Sequence, residues 1–239
     1  LVTETFSTRH QRGAGRVPVE RLPYFGEQAA EFLDGTDQFI IVGSKAPVSF
    51  FAYPGKPSEL IPSEAITTLL AGPRTNALDA LTRLADTLNA PPAPSKLQTK
   101  LTHELEHGPI NMIELGKVIA NHLPAQAIVS DEGATNGLGA FLYTDMAEPH
   151  DWLMLTGGSI GQGLPLAVGA AIACPDRKVL ALQADGSAMY TLQALWTMAR
   201  EALDVTVILL NNRSYAILNI EMARVGVADS SEKARSLLD

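Results

Sequence analysis

The hydrophobic positions fall into two stretches of different regularity, joined by a proline-rich segment. In the first, Phe39-Ile40-Ile41-Val42-Gly43 is a short apolar run closed by glycine, the pattern of a buried parallel strand. A second apolar run, Val48-Ser49-Phe50-Phe51-Ala52-Tyr53, ends at Pro54-Gly55. Asn76 to Leu88 has helical period, with Leu78, Leu81, Leu84 and Leu88 on one face. Residues 1–35 read as irregular and then helical. Their basic run of Arg9, His10, Arg12 and Arg16, broken by Gly13 and Gly15, reads as a solvated loop rather than a phosphate contact. Ala90-Pro91-Pro92-Ala93-Pro94-Ser95-Lys96 reads as an extended linker, so a domain boundary is placed across residues 91–108.

After the boundary the period alternates. Asn111–Leu123 is helical, Ala127–Ser130 a strand, and Trp152–Leu155 a short apolar run entering a glycine cluster, Gly157 to Gly163. Leu166–Ala173 is helical, Val179–Ala184 a strand, Met189–Glu201 a helix and Val205–Leu210 a strand. Strands and helices in this alternation build βαβ units. The predicted fold class is α/β, a parallel sheet with helices on both faces, preceded by part of a second α/β domain.

Composition narrows the classes. The 239 residues are 46% hydrophobic and 18% charged, as in ordinary globular proteins. The net charge of -8 disfavours a nucleic-acid partner, which needs a basic face. No stretch has the length and polarity of a membrane span. The single cysteine, Cys174, forms no disulfide within the chain and reads as a structural thiol, which agrees with a cytoplasmic setting. The chain begins at Leu1 without methionine, so a piece of a longer protein is expected.

Two motifs are decoys. His103-Glu104-Leu105-Glu106-His107 fits H-E-x-x-H, but Gly108-Pro109 stops a helix directly behind it and no third ligand follows at a familiar spacing. The 157–163 glycines do not fit the dinucleotide pattern, because the sixth position from Gly161 is Leu166. No phosphate-binding G-x-x-x-x-G-K-[ST] sequence exists.

The chemistry is carried by Asp185-Gly186-Ser187 and Asn211-Asn212, each at the end of a predicted strand. Ligands of open parallel sheets bind outside the carboxyl ends of the strands. If the two strands are neighbours, the Asp185 carboxylate and the Asn212 amide oxygen converge, and two hard oxygen donors suit Mg²⁺. Gly186 leaves room for a phosphate, and Ser187 is a fitting N-cap for a helix whose N-terminus favours an anion. Taken singly, each piece favours a capped structural turn; together, at this spacing and after the glycine loop, they favour the binding site.

Asp185-Gly186-Ser187 through Asn211-Asn212 resembles the thiamine diphosphate (ThDP) signature, G-D-G followed by a helix, a strand and N-N, with Ala184 in place of the first glycine. The likeness extends to Thr156–Pro165 and Asp131–Thr135, and residues 1–90 more loosely resemble part of the middle domain of the acetolactate synthase large-subunit family. Benzoylformate decarboxylase-like proteins are similar too. The resemblance implies a diphosphate-binding domain over 109–239, with its C-terminal end expected to be cut short. It implies Mg²⁺ ligation by Asp185, the Asn212 side chain and the Ser214 carbonyl. Thr135, Gly186, Ser187 and Tyr215 would meet the diphosphate, Ile160 would prop the cofactor, and the Gly158 carbonyl would accept from its aminopyrimidine. The family's pyrimidine-activating glutamate belongs to the N-terminal domain of a partner chain, so no catalytic residue is expected here, and Glu132 is not given that role. The implied protein is an acetolactate synthase-like carboligase acting on a 2-oxo acid, as a homodimer or homotetramer. Alternatives are a benzoylformate-type decarboxylase and a non-catalytic ThDP-binding module. This chain alone is expected to be inactive. FAD, used by some relatives, is not readable from residues 1–90.

Overall fold

The computed structural model describes residues 1–227 and 231–238. In chain order the strands are β1 (Val2–Thr3), β2 (His10–Arg12), β3 (Glu20–Arg21), β4 (Gln38–Val42), β5 (Ile66–Ala71), β6 (Ile128–Glu132), β7 (His150–Leu153), β8 (Val179–Ala184) and β9 (Val205–Leu210). The helices are α1 (Gly26–Leu33), α2 (Ala77–Thr87), α3 (Met112–His122), α4 (Ala134–Tyr143), α5 (Gly163–Ala173), α6 (Asp185–Ala188), α7 (Gln193–Arg200), α8 (Ala216–Arg224) and α9 (Glu232–Arg235). No helix among the described residues is long and apolar enough to cross a membrane.

The chain divides into two compact units, one of residues 1–5 and 19–95, the other of residues 6–18 and 96–239. In the first, β4 pairs parallel with β5 as expected of its apolar run, but Ile40 is 56% exposed, so the strand is only half covered. Its core gathers Leu22, Ala29, Leu33 and Leu60. The predicted helix is present as α2, capped by the Asn76 side chain accepting from Asp79 N. Ala80 is its buried residue, while Leu78, Leu81 and Leu88 are exposed.

The second unit holds a five-stranded sheet in the order β2-β7-β6-β8-β9. The four strands from β7 to β9 are parallel, and β2 adds an antiparallel edge strand on β7. Because side chains alternate across a strand, β6 and β8 feed two cores. Val129, Leu180 and Leu182 point to one face and pack with Ile119 of α3 and Ala140 and Phe141 of α4. Ile128, Val179 and Ala181 point to the other and pack with Leu164, Ala167 and Ala171 of α5 and Ala194 and Met198 of α7. Cys174 is half-buried beside that second core, with its thiol free. Helices α3 and α4 touch through backbone: a Cβ on Gly116 would lie 2.5 Å from the Gly139 oxygen.

The basic run departs from the solvated loop expected of it. His10 and Arg12 are each 7% exposed and sit in β2. Arg12 Nη1 donates to the Phe141 carbonyl (2.6 Å), with its guanidinium carbon 3.9 Å from the Phe141 ring centroid. Arg9 makes a two-pronged pair with Asp151 (2.8 and 3.1 Å), and Arg177 closes on the same carboxylate (2.6 Å). A planar guanidinium carries this charge into a half-buried site because it can fork onto a carboxylate or lie over a ring. The later half of the predicted linker is likewise tied down. Gln98 N donates to Arg16 O (2.8 Å), Leu101 N to Met146 O (2.9 Å) and His103 N to Asn121 Oδ1 (2.8 Å). Those hydrogen bonds place residues 96–108 with the second unit.

Next to this cluster, His150 is 3% exposed, and burial pushes its pKa down to about 4 against the pull of its Glu148 carbonyl contact (2.7 Å). Burial alone would raise the Asp151 carboxyl, but the hydrogen bonds from Arg9 and Arg177 outweigh it and hold the group low. The folded His150 binds its proton less readily than the unfolded one. Stability is therefore complete above the ordinary value of 6.5 and falls as pH drops from there towards about 4. The loss at pH 4.5 is expected to be about 2 kcal/mol, since one pKa unit is about 1.4 kcal/mol. Urea unfolding at pH 7.5 and 4.5 checks it: His150→Gln should lose much less stability between the two than the unaltered chain, and an equal loss would refute it.

Candidate active site

Three strands end at the same edge of the sheet. Glu132 of β6 pairs with Gln183 of β8, and Ala184 of β8 pairs with Leu210 of β9. The chain leaves β6 through α4 to β7 on one side, then returns through α5 to β8 on the other side of β6. Helix α4 packs on one face and α7, after β8, on the other. Connections leaving neighbouring strands in opposite directions open a crevice at their carboxyl ends, and open α/β sheets bind ligands there. That point lies between Glu132 and Gln183.

Asp185 follows β8 and opens the single turn α6. Its Oδ2 accepts from the backbone N of Arg213 (3.0 Å), on the loop after β9. In that loop Asn211 Oδ1 also accepts from Arg213 N (3.2 Å), and Asn212 Oδ1 accepts from Ser214 N (3.1 Å). Arg213 itself is at φ 53°, a left-handed conformation that a side chain rarely adopts and that holds the turn in this shape. Asp185 and the Asn212–Ser214 segment are thus brought to adjacent strand ends and tied by hydrogen bonds. Tyr215, next in the chain, is exposed.

Ser187 does not cap a helix. It lies inside α6, is 6% exposed, and its hydroxyl donates to Ala184 O (3.3 Å) while accepting from Gln183 Nε2 (3.1 Å). The long predicted helix starts later, at Gln193, because α6 ends after one turn and residues 189–192 form a further turn. At Gly186, apart from its own turn and chain neighbours, no atom of the described residues lies within 4 Å of where a Cβ would sit, so the surrounding packing leaves space there. Thr135 is the second residue of α4, whose first turn has Gly133 at its cap and no side-chain oxygen over its amides.

The loop from Thr156 to Gln162 carries Gly158 and Ile160. Gly157 and Gly158 have φ of 65° and 68°, and Ile160 is partly buried. The loop's end is held by a residue that sequence reasoning set aside. Glu132, 1% exposed, accepts from the backbone amides of both Gly161 and Gly163. Thr191 Oγ1 donates to Gly161 O (2.9 Å), and Ser130 Oγ to Gly163 O (2.8 Å). The available signal was a carboxylate at the end of a strand whose first three positions, Ile128, Val129 and Ser130, are apolar or small.

The His103–His107 stretch is not helical, so its two histidines do not share a face, and the His103 ring instead meets the Tyr143 carbonyl (3.0 Å). No group of three or more His, Cys, Asp or Glu able to hold a metal exists among the described residues. The Asp185 site has one carboxylate, one amide oxygen and one backbone carbonyl. Such a set is too small to enclose a cation but suits Mg²⁺ shared with phosphate oxygens and water. The open space at Gly186 lies beside it. On donor chemistry and on room, these residues fit a metal-bound diphosphate.

Residues 131–238 match the family described as thiamine pyrophosphate enzyme, C-terminal TPP binding domain. Over 237 residues the chain is 49% identical to "Putative acetolactate synthase large subunit IlvX" of Mycobacterium tuberculosis, covering 99% of this chain and 46% of that protein. It is 29% identical over 229 residues to benzoylformate decarboxylase of Pseudomonas aeruginosa, covering 89% of this chain and 42% of that one. Among solved structures, the thiamine diphosphate-dependent 4-hydroxybenzoylformate decarboxylase of Rhodococcus jostii superposes with a TM-score of 0.70 at 23% identity, over 93% of this chain and 45% of that one, which shows the shared fold. The chain spans less than half the length of each of these proteins. Residues 131–238 are thus the C-terminal TPP-binding domain of the thiamine diphosphate-dependent enzyme family, and the chain as a whole is similar to members of that family.

Proposed function

We propose that this chain supplies the diphosphate- and Mg²⁺-binding side of an acetolactate synthase-like active site, which decarboxylates a 2-oxo acid and transfers the remaining unit to an acceptor. The observation that carries it is the hydrogen-bonded meeting of Asp185 with the Asn212–Ser214 turn, beside the open space at Gly186. In this reading Asp185, Asn212 Oδ1 and the Ser214 carbonyl hold the Mg²⁺. Gly186, Ser187, Thr135 and Tyr215 bind the diphosphate. Ile160 sets the cofactor's shape, and the Gly158 carbonyl orients its aminopyrimidine. Bound ThDP would supply an electron sink for the carbon left by loss of CO₂. The relative at 49% identity favours the carboligase, while the benzoylformate decarboxylase, aligned over 89% of the chain, supports a simple decarboxylase as the second reading. Product analysis of the full-length protein with pyruvate and with benzoylformate separates the two.

Calorimetric titration of the chain with ThDP tests the site itself. Binding is expected with Mg²⁺ present and at least about tenfold weaker after chelation, because the diphosphate is bound largely through the metal. Equal affinity with and without Mg²⁺ would remove the metal assignment. No binding under either condition would remove the cofactor assignment as well.

A further inference from the structure

We propose that Glu132 is a positioning residue for the cofactor, acting through the 156–163 loop and, by way of Gln183, through Ser187. The carboxylate accepts from two amides of one loop, Gly161 and Gly163, from a place with almost no solvent. A Cβ at Gly163 would lie 2.7 Å from Glu132 Oε2, 2.7 Å from Glu132 Cβ and 2.7 Å from Gln183 Oε1, so the loop backbone is pressed onto both side chains. Charge-assisted hydrogen bonds in such a setting are strong, and a loop held by two of them has little freedom.

Gln183 extends the connection. It is 1% exposed, its Nε2 meets Ser187 Oγ (3.1 Å), and its Oε1 is buried without a hydrogen-bond partner beside a carboxylate oxygen. Two acceptors bordering one water-free point are unfavourable. Turning the amide over directs its NH₂ towards Glu132 and sets its oxygen against the Ser187 hydroxyl, so the two buried acceptors no longer face each other and Gln183 stays in contact with Ser187, whose hydrogen then serves Gln183 or Ala184 O. The result is a buried line, glycine loop to Glu132 to Gln183 to Ser187. It joins the loop carrying Gly158 and Ile160 to the turn carrying Gly186, and so fixes the spacing between the two ends of the cofactor. This inference rests on the reading that Gly158 and Ile160 meet ThDP.

Glu132→Gln tests it in the whole chain. The amide keeps one acceptor oxygen and sets an NH₂ against a loop N–H. Exchange of the Gly161 and Gly163 amide hydrogens is expected to speed up by about tenfold or more while β8 stays protected. ThDP affinity measured with Mg²⁺ should fall by roughly tenfold, and the near-ultraviolet circular dichroism of saturated ThDP should change, because the loop no longer orients it. Val179→Ala, a fully buried core change in β8, serves as the control for lost stability alone and should move only the melting temperature. If Glu132→Gln does not fold, Thr191→Val decides instead. It removes the hydroxyl holding Gly161 O from the partly exposed side and should alter loop exchange and ThDP affinity in the same direction. Unchanged affinity and dichroism in the folded variant, with the unaltered chain binding ThDP, would overturn the inference alone. Failure of the unaltered chain to bind ThDP would overturn it together with the function it rests on.

Discussion

Asp185→Ala is expected to weaken Mg²⁺-dependent ThDP binding by at least about a hundredfold. Residues that merely support metal ligands cost about 10–100-fold when changed, and a ligand should cost no less. Asp185 is the sole carboxylate of the proposed set, so no other side chain there can neutralise the cation. The fold should survive. Arg213 N, which Asp185 accepts from, is also held by Asn211 Oδ1 at 3.2 Å, and the loop is partly exposed to water. Asp185→Asn separates charge from shape, because its amide oxygen can still accept from Arg213 N while the charge is gone. Calorimetry with ThDP and Mg²⁺, alongside far-ultraviolet circular dichroism, reads both variants. Cofactor affinity within a few fold of the unaltered chain in Asp185→Ala would mean that Asp185 is a turn residue and the metal lies elsewhere.

Gly139→Ala should be among the most destabilising single changes in the chain, by about 2–3 kcal/mol. A Cβ there would sit 2.8 Å from the backbone carbon of Met112 and closer still to its oxygen. Helix propensity argues the other way, since alanine is better than glycine by about 1 kcal/mol inside a helix. Overpacking costs typically about 1–3 kcal/mol and more where the obstacle is backbone that cannot rotate aside. Here the obstacle is the first turn of α3, and the overpacking term wins. For a chain of this size the expected fall in melting temperature is roughly 5–10 °C. A variant as stable as the unaltered chain in urea would show that α3 and α4 can separate at no cost.

The parts of the fold that were legible in the sequence are those specified by local pattern. Val179–Ala184 and Val205–Leu210 are apolar runs of strand length with no breaker inside, and both appear with those bounds. Asn111 and Asn76 cap α3 and α2 where the sequence placed the helix starts. The Asp185 and Asn212 turns were found because a strand end followed by a short polar residue is a local signal too. What stayed hidden depends on partners distant in sequence. Arg9 and Arg12 look like a solvated loop until Asp151 and Phe141, some 130 to 140 residues away, are brought to them. Glu132 looks like one more charge beside Asp131, since its partners are amides and backbone amides leave no mark in a sequence. Ser187 had the residue type of a cap, but the chain turns once and stops, so its hydroxyl serves a buried glutamine instead.

Residues 6–18 join the second unit although residues 19–95, between them and the rest of it, form the first. During synthesis this arrangement becomes a matter of timing. β2 leaves the ribosome early, yet its partner β7 follows about 140 residues later, with His10 paired to Trp152. At typical rates of about 5–20 residues per second the segment waits roughly 7–30 s without its neighbour. Meanwhile Leu22, Ala29, Leu33 and Leu60 of the first unit are all at hand and can form their core first. The second unit therefore completes its sheet only after β7 is made, and a single cut in the linker does not divide the chain into its two units. Cleavage near Pro92 would leave β2 on one piece and β7 on the other. The two pieces would stay associated through the Arg9–Asp151 pair and the strand contact, until denaturant released the 6–18 arm, still attached to the first unit.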